Sequence, residues 1–141
     1  MRSWKSLLLL FALAVAAEPA EANPRALASG NTAIIFEANQ GQTDPLVKFV
    51  ARGQNYDLFL TTSEMVLRLS KPDEAGPAVV RMRLLGANPR PDVSGVEKLP
   101  GKVNYFIGDD PARWRTNIPT YARVRYRSVY PGVDLVYYGN Q

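Results

Sequence analysis

From Leu46 the chain alternates in a period of two, and the alternating segments are joined by connections of only three residues. Val47, Phe49 and Ala51 fall on one side, with Lys48, Val50 and Arg52 on the other. After Gly53-Gln54-Asn55, residues Tyr56, Leu58 and Leu60 alternate against Asp57, Phe59 and Thr61. After Thr62-Ser63-Glu64, residues Met65, Leu67 and Leu69 alternate against Val66, Arg68 and Ser70. Side chains on successive strand residues point to opposite faces, so each segment reads as a half-buried strand. Connections this short leave antiparallel neighbours as the economical arrangement.

The remaining chain extends this pattern. Asn31 to Glu37 reads as a first strand, and Ala38 to Pro45 as turn chemistry around Gly41. Lys71 to Ala78 is a loop. Val79 to Leu85 is a strand expected to turn Val80, Met82 and Leu84 inward and Arg81 and Arg83 outward. Gly86 to Gly101 holds three prolines and three glycines. Little regular structure is expected there beyond a short edge strand within Val93 to Leu99. Val103 to Ile107 is another strand, and Asp110 is placed to cap a single helical turn opened by Pro111. Tyr121 to Val129 and Val133 to Tyr138 form a final hairpin around Pro131-Gly132. No longer helical period appears after the N-terminal leader. The expected fold class is all-β, an antiparallel β-sandwich or open barrel-like domain with short Gly/Pro-rich turns.

The first residues have a different character. Arg2 and Lys5 precede the apolar run Leu7 to Ala17, and Ala20-Glu21-Ala22 supplies small residues at signal-peptidase spacing. This is the order of a secretory signal peptide, and the apolar run is too short to span a bilayer. The expected division is therefore a signal peptide over 1–22, a polar lead-in over 23–32 and one β domain over 33–141. Cleavage after Ala17 is the alternative. Export to the periplasm, cell surface or exterior follows, with no membrane span after cleavage.

The chain of 141 residues has no cysteine and no histidine, and a net charge of +4. Disulfide staples and acylation of a cysteine are excluded, as is any triad that uses histidine. A charge this modest on an exported chain does not point to nucleic acid. No metal or cofactor is expected, and no enzymatic activity.

Two groups of side chains are candidates for ligand binding. In Tyr121 to Val129, Arg123, Arg125 and Arg127 share a strand face with Tyr121, and Ala122, Val124, Tyr126 and Ser128 share the other. A row of guanidiniums suits carboxylates, phosphates or sulfated sugars. It also suits a solvated face with local partners among Glu97, Asp109, Asp110 and Asp134 that discourages edge pairing. The second group is Trp114 between Arg113 and Arg115, the aromatic placed best for stacking on a sugar. The other aromatics, Tyr105, Phe106, Tyr121, Tyr126, Tyr130, Tyr137 and Tyr138, are expected chiefly in the core. Glu37, Asp57, Asp109, Asp110 and Asp134 contain no spacing that selects a glycosidase pair or a calcium loop. Ser63 lacks a nucleophile-elbow setting, and the glycines form no phosphate loop.

An ordered set of segments carries a resemblance. It runs through Phe36 to Gln42, Val47 to Gly53, Tyr56 to Thr61, Val80 to Asn88, Pro100 to Gly108, Trp114 to Asn117, Pro119 to Tyr121 and Val129 to Gly139. Together they resemble the N-terminal domain of unknown function that precedes seven-bladed β-propeller (SBBP) repeats in large exported bacterial proteins. The resemblance covers nearly all of residues 33–141. It implies an extracytoplasmic all-β domain with no catalytic residues to carry over, and as partner a β-propeller repeat region or another cell-surface protein. It also implies that such a domain continues with further strands, so the chain is expected to be a truncated form lacking partners for Val133 to Tyr138. A structural or adhesive module is the expected function. A carbohydrate- or polyanion-binding module using Arg123, Arg125, Arg127 and Trp114 is the alternative, and a carboxylate glycosidase a more distant one.

Overall fold

The structure, a computed structural model, describes residues 33–70 and 76–139. The expected signal peptide and lead-in, and most of the Lys71–Ala78 loop, lie outside the described residues. Eight strands follow in order: β1 (Phe36–Ala38), β2 (Val47–Arg52), β3 (Tyr56–Thr61), β4 (Glu64–Leu69), β5 (Ala78–Arg83), β6 (Asp92–Tyr105), β7 (Arg115–Tyr130) and β8 (Val133–Tyr138). All pairings are antiparallel, in the order β5-β4-β3-β2-β1-β7-β6, with β8 also on β7. The sheet curls into a half-barrel. Of the two all-β alternatives, the open barrel describes it.

The tight connections have local chemical causes. Asn39 organises the β1–β2 turn by donating its side-chain amide to the carbonyls of Asp44 and Val47, each at 2.8 Å. The hydroxyl of Thr61 accepts from the backbone N–H groups of Ser63 and Glu64 and closes the β3–β4 turn. Between β7 and β8, Gly132 has φ +74° and supplies the left-handed residue of a two-residue hairpin loop.

The curl comes from β7. Its first half pairs with β1 through Phe36↔Tyr121 and Glu37↔Thr120, and its second half pairs with β8 through Arg123↔Tyr138 to Tyr130↔Val133. The Tyr126 hydroxyl donates to the Thr61 carbonyl at the far end of β3 (2.7 Å), and the Tyr130 hydroxyl to the Leu85 carbonyl (2.7 Å). The second half of β7 therefore crosses the concave face of β1–β4. Phe36, Phe49, Ala51, Leu60, Val124, Tyr126 and Val129 are buried between the two layers, with Leu58, Met65, Val93, Tyr121, Leu135 and Tyr137 against them. Tyr121 meets Phe49 edge-on, with ring centroids 5.8 Å apart. Phe49, Ala51, Leu58, Leu60 and Met65 turn to the core as the period-two pattern expects, whereas a register shift between Val47 and Phe49 leaves Val47 outside the core cluster and Leu69 is exposed.

Two expectations need correction. The region Gly86 to Gly101 is not mostly irregular, and Val93–Leu99 and Val103–Ile107 are not separate strands. Asp92 to Tyr105 form one strand through Pro100-Gly101, paired along β7, which itself starts at Arg115 and contains Pro119. The prolines are tolerated because the register jumps between Lys98 and Lys102, where Lys102 then faces Pro119. Glu97 at φ 58° opens the irregularity, and the Thr120 hydroxyl bonds the Gly101 carbonyl at 2.6 Å across it. The second correction concerns β5. All six of its residues are exposed, Val80 by 49 % and Met82 by 38 %. The crossing layer ends before reaching the edge of the sheet, so residues patterned to face inward find no cover there. Leu84, just beyond the strand, does pack against the core.

Candidate functional site

The expected binding residues occupy two separate places. Arg113, Trp114 and Arg115 sit where the chain enters β7. Asp110 caps a single 3-10 turn over Pro111–Arg113, its carboxylate accepting from the Ala112 N–H at 3.0 Å, as expected from the sequence. Trp114 is half-buried rather than displayed. Its indole N–H donates to the Gly108 carbonyl (3.1 Å), and Phe106 meets the ring edge-on at 5.2 Å. Arg115 donates to the carbonyls of Ala112 and Trp114. These two side chains staple the loop, and Arg113 is exposed.

Arg123, Arg125 and Arg127 lie about 26 Å or more further along β7, at about 3.3 Å per residue. Their cross-strand partners are Val96 and Tyr138 for Arg123, Ser94 and Val136 for Arg125, and Asp92 for Arg127. Arg123 pairs with Glu97 at 3.2 Å and stacks over Tyr138, 5.6 Å from the ring centroid. The Nε of Arg125 is buried without a hydrogen-bond partner among the described residues. Tyr121 departs from the expected face and packs inward over Gly95, where a Cβ would meet the ring at 2.5 Å. The ladder is thus an outer face of β6, β7 and β8 that mixes arginine with Val136 and Tyr138, both exposed. Glu97 is a local acid partner of the kind the sequence suggested.

A polar network on the convex face was not legible in the sequence. Glu37, Val50 and Thr120 point away from the core cluster, since opposed residues on paired strands face the same way. Glu37 is only 7 % exposed. The C-terminal arm of β6 reaches over it, and the Tyr105 hydroxyl donates to Glu37 Oε2 at 2.5 Å. Arg52 Nε donates to the same hydroxyl at 3.0 Å, and Arg52 also binds Asp57 at 3.1 Å. The guanidinium stands 5.8 Å from the Tyr105 ring centroid and 6.0 Å from that of Phe59. Burial, together with the bond to Glu37, raises the Tyr105 hydroxyl above the ordinary tyrosine range. Glu37 and Asp57 are not isolated acids. Each instead has a basic or phenolic partner, at sequence separations of up to 68 residues that no local pattern encodes.

A second acid, Glu64, holds two arginines. Arg81 Nη1 lies 2.7 Å from one carboxylate oxygen and Arg83 Nε 2.9 Å from the other. The hydrogen bond from Arg83 pulls the Glu64 carboxyl below its usual range. Glu64 and Arg83 border a pocket of about 380 Å³ at the mouth of the half-barrel, whose walls include Met82, Leu84, Tyr126, Leu135 and Tyr137. Among the described residues no three acidic side chains converge as a metal site would require, and no helix is long and apolar enough to cross a membrane.

No curated protein and no solved structure matches this chain. A family model described as domain of unknown function (DUF7948) matches residues 36–141, from the first residue of β1 through all eight strands, and the chain belongs to that family.

Proposed function

We propose that the chain is an exported, non-catalytic interaction module that docks through the outer face of β7 and β8, with a β-propeller repeat region of the SBBP type as its partner. The observation that carries this reading is the juxtaposition of Arg123 and Arg125 with exposed Tyr138 and Val136 in directly opposed pairs. Tyrosine and arginine on a rigid sheet are the side chains that most often anchor protein interfaces. The propeller as partner comes from the family resemblance. The engagement of Asp57, Glu64, Glu97 and Asp110 in ion pairs or caps supports a non-catalytic role.

The test is calorimetric titration of the purified chain with a purified SBBP propeller-repeat segment. Binding is expected, and Tyr138→Glu should weaken it by about tenfold or more, the scale of losing an anchor residue. No heat with a folded sample would overturn the reading. The unpartnered Arg125 Nε favours a second reading, a polyanion site. Binding to a sulfated glycan that is lost in Arg125→Gln, with none to the propeller, would select it.

A further inference from the structure

We infer that β5 is a strand-pairing edge through which two copies of this chain join their sheets, with the two-fold axis at Val80. The edge is regular. Pairing with β4 runs without a break from Glu64↔Arg83 to Leu69↔Ala78, and no strand covers the other side of β5 among the described residues. Open edges usually carry a bulge, a proline, or a charge aimed outward, any of which blocks another strand. Here Pro77 precedes the strand, and Arg81 and Arg83 are drawn back across β4 onto Glu64. The concave face of the same edge shows Val80 and Met82 to solvent beside Leu69.

The sequence of β5 selects its own reverse. In an antiparallel pair, directly opposed residues share a face. An axis at Val80 opposes Val80 to Val80 and Met82 to Ala78 on the concave side, and Arg81 to Val79 on the convex side. Apolar residues then continue the concave surface from one copy to the next, and no two guanidiniums are opposed. An axis at Arg81 would set Arg81 against Arg81, which like-charge repulsion disfavours. An axis between Val80 and Arg81 would place each arginine on the apolar side of the other copy. Of these three registers only that at Val80 satisfies both faces, and moving the axis to Val79 would leave just three strand residues paired instead of five. It gives an isologous two-fold contact that closes at two copies.

The chain has no cysteine, so single cysteines report the register directly. Opposed residues sit about 4.5–5.5 Å apart at Cα, inside the window that a disulfide spans. Val80→Cys is expected to run as a covalent dimer after mild oxidation of a concentrated sample. Met82→Cys, on the same face, should remain monomeric, because its own copy lies four residues away along the pair. Mixed with Ala78→Cys, it should give a heterodimer. Sedimentation velocity of the unmodified chain should show concentration-dependent dimer that Val80→Arg abolishes, with an unchanged circular dichroism spectrum. A Val80→Cys protein that stays monomeric, or Met82→Cys cross-linking as readily, would overturn the proposal. So would protection of the β5 edge by the propeller segment in place of a second copy. Neither β7 nor β8 contributes to this contact, so its outcome is separable from that of the docking reading.

Discussion

The Tyr105 hydroxyl sits 2.5 Å from the carboxylate of Glu37, joining the C-terminal arm of β6 to β1 across the convex face of the sheet. Glu37 is one of two polar side chains among the described residues classed as buried, the other being Thr120. Both are tied to the same arm, Thr120 through the Gly101 carbonyl. The arm carries a proline, a glycine and a register shift, and two side-chain bonds fasten it where the ladder is interrupted.

Removing one partner leaves a buried acid unsatisfied. Tyr105→Phe is expected to cost about 1–3 kcal/mol and to lower the thermal midpoint by several degrees. The double variant Tyr105→Phe/Glu37→Leu should recover part of that loss, since neither polar group then remains. A Tyr105→Phe midpoint equal to that of the parent in urea denaturation would show that the bond contributes nothing net.

Gly95 is required for space rather than for its backbone angles. A Cβ there would lie 2.5 Å from ring atoms of Tyr121, itself held edge-on against Phe49. Gly95→Ala should destabilise by about 1–3 kcal/mol, as overpacking does. Gly76→Ala is the control, because a Cβ at Gly76 meets nothing within 4 Å. It should be neutral or slightly stabilising. Equal effects from the two would show that the Tyr121 ring moves freely.

Core and rim leucines should separate cleanly. Leu60 is fully buried under the crossing half of β7, and Leu85 is 87 % exposed. Leu60→Ala is expected to cost about 2–5 kcal/mol, and Leu85→Ala to stay within about 0.5 kcal/mol. Chemical denaturation of both variants checks this. A comparable loss at Leu85 would mean that the mouth of the half-barrel is covered in solution.

The tyrosines make stability fall on the alkaline side. Burial, with a smaller contribution from Tyr137, raises the Tyr126 hydroxyl well above its ordinary value, and burial raises Tyr137 as well. In the unfolded chain they ionise near pH 10. Above that pH the unfolded state has lost protons that the folded state retains, so unfolding becomes more favourable. Their contribution is whole below about pH 10 and fades as pH rises towards the folded values. Urea midpoints should therefore decline above pH 10, with tyrosinate absorbance appearing together with unfolding. Full ionisation of Tyr126 in the folded state at pH 10.5 would contradict this placement.

The strands of the first half were legible because their information is local. Alternation at Val47–Arg52, Tyr56–Thr61 and Glu64–Leu69, cut by three- and two-residue turns, identifies strands and their inward faces without reference to anything distant. The cap at Asp110 and the hairpin at Pro131-Gly132 are local in the same way. Pro100 misled, because a proline breaks a strand only where its missing N–H is needed. Whether it is needed depends on the register of a partner seventeen or more residues away. Trp114 flanked by arginines suggested display, and the nearby Gly108 carbonyl and Phe106 ring instead hold it in the loop.

By itself, then, the amino-acid sequence determined an antiparallel all-β chain and the inward faces of β2 to β4, since side-chain alternation and turn chemistry act over a few residues. Which inward-patterned residues are covered was decided by tertiary structure. β7 crosses over Leu60 and stops short of Val80 and Met82, so equivalent patterns end in the core on one strand and in solvent on another. The pairing of Glu37 with Tyr105, and of Glu64 with Arg81 and Arg83, was decided at the same level. Register and curl bring those groups within hydrogen-bond reach, and neither is a property of any short segment.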